Sequence, residues 1–195
     1  MYQENPEKEG NWISRSYQFF NQLGTVIWPE QKRIYWNLKE RIKGKRIVEA
    51  GCGIGYGTAL LHFENEIIGT DKNLGHIKFA KEIYPWCNFD LWDISENPYE
   101  KHDVVIAVEV IEHIKEYKKA IGNLLKSGNE IYISTPNRNH PDLGKNRPVN
   151  TLHVREFTPR ELIDLLGNPK ILHWETFEEL NEDTQVSPLV YVCKS

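Results

Sequence analysis

The chain is poor in cysteine, in methionine and in long apolar runs. Its three cysteines, Cys52, Cys87 and Cys193, are odd in number and widely spaced. That pattern offers neither a disulfide framework nor the paired ligands of a structural zinc site, so reduced thiols in a cytoplasmic protein are expected. No apolar stretch approaches the roughly 20 residues that span a bilayer. The start, MYQENPEKEGN, is polar and lacks the apolar centre of a secretion signal. Positive charge is also short: 24 Lys and Arg stand against 28 Asp and Glu, a net charge of −4. Broad gripping of a nucleic-acid backbone needs many basic contacts and is not expected, although contact with one nucleotide end stays open. Repeats, low-complexity tracts and linkers are absent. A 195-residue chain of this kind reads as a single domain, 1–195.

Two common phosphate signatures are missing as well. Neither G-x-G-x-x-G nor G-x-x-x-x-G-K-[ST] occurs. In their place stands Glu49-Ala50-Gly51-Cys52-Gly53-Ile54-Gly55, an E-x-G-x-G-x-G with no lysine after the glycines. It lies between the strand Arg46-Ile47-Val48 and a helix beginning near Thr58. Alternate glycines let a backbone turn sharply and approach a ligand that a Cβ would block. The free N–H groups of the following helix point into the same space. A carboxylate at Glu49 is wrong for a pyrophosphate but suits a cationic group such as an amino-acid ammonium. The loop therefore reads as a site for an adenosine–amino-acid cofactor.

This loop resembles the first motif of the class I S-adenosylmethionine (SAM) methyltransferases. The order of elements downstream is similar to theirs. A second strand, Glu66-Ile67-Ile68-Gly69-Thr70, ends at Asp71, roughly the interval at which such folds place a ribose-binding acid. Asp71 also precedes a helical stretch and reads equally as its N-cap. The third strand, Asn88–Trp92, is followed by Asp93 and Ile94. The resemblance makes Asp93 the acceptor for the adenine amino group and the Ile94 N–H a donor to the ring. The fourth, Asp103–Val108, is almost wholly apolar, as a strand covered on both faces should be. With Lys72 beside Asp71, and with Val108 and Glu109 at the fourth strand's end, these residues complete the cofactor set that the resemblance implies.

The expected fold is α/β: a Rossmann-like, seven-stranded, mostly parallel sheet with helices on both faces and an antiparallel C-terminal strand pair. The remaining elements fit it. A helix is expected over Glu30–Ile42, with Ile34, Leu38 and Ile42 on one face and Gly44 closing it. Tyr117–Leu125 reads as a helix, and Glu130–Ser134 as a fifth strand broken by Thr135-Pro136. Thr158-Pro159-Arg160-Glu161 carries the signature of a capping box. Residues 1–43 read as a helical lid or substrate segment and 44–195 as the SAM-binding core. The aromatics Tyr17 and Phe20 are candidates to cover the cofactor. The polar loop Arg138–Asn150, with Asn137, Arg138, His140 and Arg147, is expected to shape the acceptor pocket.

A second cluster follows the fourth strand: Glu109-Val110-Ile111-Glu112-His113. Its spacings of three and four put two carboxylates and an imidazole on one face if a helix starts there. Such a set suits Mg²⁺ or Mn²⁺. Glu-Val-Ile-Glu-His resembles a motif of the ubiquinone-biosynthesis O-methyltransferases and of the enzymes that methylate the terminal 2′-hydroxyl of small RNAs. In the latter group a further histidine completes a metal site, which by resemblance gives His153 that role. Catalytic candidates are thus Glu112, His113 and His153, and metal candidates are Glu109 with those three. A metal-free general base and a purely structural cluster remain open. The activity implied is methyl transfer from SAM to a hydroxyl, with a small-molecule or glycan acceptor preferred to RNA. A SAM-binding protein without turnover is the second possibility.

Overall fold

A computed structural model of the chain describes residues 29–138, 152–167, 170–176 and 188–194. Tyr17, Phe20, His140 and Arg147 lie outside those residues. The first element is α1, Pro29–Arg41. Ile34 and Leu38 on it, and Ile42 just beyond, are at most 2% exposed. Their spacing of four lines them up as one stripe, which presses the helix onto the sheet. Gly44 follows with a left-handed φ of 65°.

The strands alternate with helices: β1 Arg46–Ala50, α2 Tyr56–Leu61, β2 Glu66–Asp71, α3 Leu74–Ile83, β3 Asn88–Leu91, β4 His102–Val108, α4 Tyr117–Ser127 and β5 Gly128–Pro136. After them come α5 Pro159–Leu165, β6 Lys170–Thr176 and β7 Pro188–Lys194. The order across the sheet is β3-β2-β1-β4-β5-β7-β6. The pairs from β3 to β5 are all parallel, whereas β7 runs antiparallel to both β5 and β6. The expected α/β architecture with a Rossmann-like parallel sheet is present.

Period-two alternation splits the core into two layers. Ile47 and Val104 face α1, α2 and α3, together with Leu60, Tyr84 and Phe89. Their neighbours Val48 and Val105 face the opposite side, with Ile121, Leu124, Ile131 and Phe157. Each such side chain contributes about 1.5–3 kcal/mol by leaving water. Covering both faces is why β1 and β4 need apolar residues at nearly every position.

Two differences from expectation bear on the site. β5 extends to Pro136 rather than breaking at Thr135. A proline is tolerated there because it is the strand's last residue, opposite Pro188, where the ladder is ending. The segment after β4 does not start a helix at Glu109: only Ile111–His113 form a single 3₁₀ turn. The capping box of α5 forms as its residues suggest, with Thr158 accepting from the Glu161 N–H and Glu161 accepting from the Thr158 N–H.

The sheet order reverses between β1 and β4. The crevice outside the C-terminal strand ends at such a switch point is where open α/β sheets bind ligands. Five segments empty into that edge: Gly51–Gly55, Asp71–Asn73, Asp93–Ile94, Glu109–His113 and Thr135–Asn137.

Candidate functional site

The glycine loop takes a shape that side chains oppose. Gly51, Gly53 and Gly55 have φ of 68°, 55° and 86°, all left-handed, a region that costs an L-residue roughly 1–2 kcal/mol. Two of the three are also packed tight. A Cβ on Gly51 would stand 2.6 Å from Val110, and one on Gly55 would stand 2.7 Å from the Phe89 ring. Gly53 differs, since nothing lies within 4 Å of its missing Cβ. The loop is closed beneath and open at Gly53.

Glu49 lies under this loop and is fully buried. One carboxylate oxygen accepts from the Tyr35 hydroxyl of α1 and the other from the Thr58 hydroxyl of α2. Burial is the main cause that raises its pKa, opposed by those two hydrogen bonds. The contact with a cofactor ammonium expected from sequence is therefore not open to it here, because the group is enclosed. What it does is tie α1 and α2 to β1. The Tyr35 ring also fills the space beside Gly57, where a Cβ would be 2.0 Å away. Tyr35 and Thr58 were not singled out in the sequence, because nothing local links positions 35, 49 and 58.

Asp71 ends β2 with its side chain 12% exposed. Its Oδ2 accepts from the Gly53 N–H at 3.0 Å and its Oδ1 from the Asn73 N–H at 2.7 Å. It is not the helix cap. Asn73 caps α3, accepting from the N–H groups of Gly75 and His76. Asp71 thus remains at the strand end, fixed against the open glycine. Across the edge, Asp93 Oδ1 accepts from the Ser95 backbone N–H and hydroxyl at 2.9 and 2.6 Å. Burial raises its pKa, but those bonds and the charges of Lys72 and Lys119 outweigh it and hold the carboxyl below its ordinary value. Ile94 is buried, and its carbonyl accepts from Asn123. Val108, buried at the end of β4, pairs with Ser134. Exposed Lys72 sends its field toward both Asp93 and His113. The residues expected around a cofactor therefore converge on one edge.

The second cluster is built by a strained turn. Glu109 has φ of 54°, the one non-glycine among the described residues with positive φ. Its N–H donates to the carbonyl and hydroxyl of Ser134, and its Oε1 accepts from that same hydroxyl at 2.9 Å. Strain of this kind costs about 1–3 kcal/mol and persists only where the surroundings enforce it. The reversal turns Glu112 inward and His113 outward.

Glu112 is fully buried. Thr135 donates to its Oε2 at 3.1 Å, while its Oε1 is buried with no hydrogen-bond partner. Burial above all, then the nearby Glu109 carboxylate, push its pKa well up. The backbone carbonyl of Glu112 accepts from the N–H groups of Val154 and Arg155, which brings the segment carrying His153 back across the sheet. His113 and His153 then meet edge to face, ring centres 4.8 Å apart. His113 Nδ1 lies 3.1 Å from the Leu152 carbonyl, and His153 Nδ1 lies 3.0 Å from Glu156 Oε1. Burial lowers the pKa of His113.

Glu112, His113 and His153 each offer one ligand atom, and those atoms lie within 4.8 Å of one another. Glu109, expected in the same set, is not in that group and turns to Ser134. The helical spacing that would have brought it in is absent. Sequence reasoning also missed Ser134, Thr135 and Glu156, whose roles depend on contacts 25, 23 and 3 residues away. Cys52 and Cys87 are buried free thiols, with Cys87 pushed up to about 12 by burial.

A methyltransferase domain family matches residues 42–178. A protein of Mycolicibacterium smegmatis named probable S-adenosylmethionine-dependent methyltransferase is 32% identical over 139 residues, covering 68% of this chain and 54% of that one. A ubiquinone biosynthesis O-methyltransferase of a Bradyrhizobium species is 29% identical over 107 residues, covering 50% of this chain and 42% of that one. The chain spans about half the length of the curated relatives it matches. Among solved structures, magnesium protoporphyrin IX methyltransferase from Synechocystis, with bound S-adenosylhomocysteine, superposes with a TM-score of 0.68 at 18% identity, covering 95% of this chain and all of that one. At that identity the likeness is one of fold. No helix among the described residues is long and apolar enough to cross a membrane.

Proposed function

We propose, because the chain belongs to the class I S-adenosylmethionine-dependent methyltransferases, that it transfers the sulfonium methyl to a hydroxyl of a small-molecule or glycan acceptor. Residues 44–195 form the SAM-binding core in this reading. Gly51, Gly53 and Gly55 would hold the cofactor, with Asp71 taking its ribose, Asp93 and the Ile94 N–H its adenine, and Val108 lining the site. Lys72 borders that site. Glu49 supports the loop from below, and Glu109 fixes the turn at which the methyl is presented.

The observation that carries the choice of a hydroxyl acceptor is the buried, unpartnered Oε1 of Glu112 facing two imidazoles. A backbone carbonyl accepts only, so a proton sits on His113 Nδ1 and Nε2 keeps its lone pair. That nitrogen is 3.9 Å from Glu112 Oε1. Once Glu112 gives up the proton that burial favours, electron pairs converge here with no donor between them, which suits a divalent cation or an incoming O–H. Two imidazoles and one carboxylate favour Mn²⁺ over Mg²⁺, which prefers oxygen ligands. When bound, the ion supplies positive charge that lowers the pKa of a nearby hydroxyl. Without the ion, the chain's own part would be to hold the hydroxyl oxygen in line with the methyl while the bare Nε2 of His113 receives its proton. The ubiquinone-biosynthesis relative and the net charge of −4 support a small acceptor over RNA.

The test is a calorimetric titration of Mn²⁺ into protein saturated with S-adenosylhomocysteine. One-site heat that disappears in Glu112→Ala and His153→Ala is expected. Absence of heat removes the metal and leaves the histidines to act as bases. Failure of S-adenosylhomocysteine itself to bind overturns the reading.

A further inference from the structure

His113 and His153 lean on different acceptors. His113 has the neutral carbonyl of Leu152, whereas His153 has the carboxylate of Glu156 at 3.0 Å. Glu156 is 3% exposed and the His153 side chain 11%. Their placement is enforced from several sides. The N–H groups of Val154 and Arg155 both donate to the Glu112 carbonyl, at 2.7 and 3.2 Å. Phe157 is fully buried, and its carbonyl accepts from the Arg138 N–H as it bridges to Asn137 at the end of β5. The Arg155 guanidinium is directed away, over the Tyr117 and Phe157 rings and onto Glu161 at 2.7 Å. The backbone is thereby fastened at Val154, Arg155 and Phe157, which fixes the position from which the Glu156 side chain reaches the imidazole.

From this geometry we infer that Glu156 is the positioning residue of His153, fixing a proton on Nδ1 so that Nε2 presents its lone pair beside Glu112 and His113. An ionised carboxylate only accepts, so the shared proton belongs to Nδ1 and the tautomer follows. A carboxylate behind an imidazole also makes the far nitrogen a better ligand and a better base than a carbonyl does. The two histidines are therefore unequal in what holds their Nδ1: a carbonyl for His113, a carboxylate for His153. This inference rests on the reading of Glu112, His113 and His153 as the acceptor-activating cluster.

Nitrogen-15 spectra of the imidazoles, recorded on protein saturated with S-adenosylhomocysteine, test it without turnover. The wild type is expected to show His153 with Nδ1 protonated and Nε2 bare. Glu156→Ala is expected to lose that single tautomer, and Glu156→Gln to keep it through its amide oxygen, with His113 unchanged in both. A wild-type His153 protonated on Nε2 overturns the inference, as does an unaltered His153 spectrum in Glu156→Ala. As a second readout, Glu156→Ala is expected to weaken Mn²⁺ binding by about tenfold or more. If the wild type shows the expected tautomer but gives no heat with Mn²⁺, the metal reading falls and the positioning role stands.

Discussion

The two halves of the site are opposites in how they treat polar groups. Around the glycine loop the main ones are matched within the protein: Glu49 by Tyr35 and Thr58, and Asp71 by Gly53 and Asn73. Around the 3₁₀ turn, a strained Glu109 holds a fully buried Glu112 whose Oε1 has no partner. The first region is finished and waits only for something to lie on its open glycine. The second is incomplete, and its imbalance is chemical: a buried carboxyl whose Oε1 has no partner and whose proton burial retains. A scaffold that binds one constant cofactor can satisfy itself beforehand. A centre that must take a proton or a cation during each cycle cannot.

Removing the incomplete side should produce the largest effect. His113→Ala is expected to lower kcat by about 10²–10⁴-fold, the range for loss of a positioned acid–base group. Affinity for S-adenosylhomocysteine should change less than about twofold, a small fraction of the 1.4 kcal/mol that a tenfold change represents. Methylation of a panel of catechols and vicinal diols, alongside calorimetry, separates the two quantities. Normal turnover would place the chemistry elsewhere and leave the contrast between the two regions without meaning.

The glycine loop itself contains a sharper comparison. At Gly55, φ is +86° and a Cβ would stand 2.7 Å from Phe89. Gly55→Ala should cost about 2–5 kcal/mol of stability, summing left-handed strain and overpacking. At Gly53 the strain remains but no atom lies within 4 Å. Gly53→Ala should cost only about 1–2 kcal/mol, yet weaken S-adenosylhomocysteine by about tenfold or more, because the open space is where the ligand comes close. Denaturant unfolding with and without ligand checks both. Equal ligand losses in the two variants would remove Gly53 from the binding surface.

How much of this was legible in the sequence follows the same division. The parallel strands, the amphipathic face of α1, the glycine loop and the capping box of α5 are encoded in residues close together, by period and spacing. The spacing of Glu109, Glu112 and His113 was misleading, because it presumed a helix. A left-handed Glu109 held by Ser134, 25 residues on, replaced it with a 3₁₀ turn and moved Glu109 out of the cluster. Asp71 and Asn73 compete for the same cap on local grounds, and only the Gly53 N–H decides between them. The enclosure of Glu49 by Tyr35 was invisible for a similar reason. It requires knowing that α1 docks on α2.

A last expected effect is on stability against pH, and it isolates the incomplete half. Glu112 is fully buried with its folded pKa raised, by burial first and by Glu109 second. In the unfolded chain it titrates near an ordinary glutamate's roughly 4.3. Between those values the folded protein binds the extra proton, so stability falls as pH rises, with a slope of at most about 1.4 kcal/mol per pH unit. Glu49, also raised, adds a slope of the same sign. His113, lowered, adds the opposite sign as pH drops below its unfolded value near 6.5. Glu112→Gln removes one of these contributions while keeping the shape. Measured in EDTA by urea unfolding from pH 5 to 8, the variant should gain relative to wild type as pH rises, while the Glu49 slope persists in both. Superimposable profiles would mean that Glu112 already meets a compensating charge, and the contrast between a satisfied loop and an unsatisfied cluster would fail at its central residue.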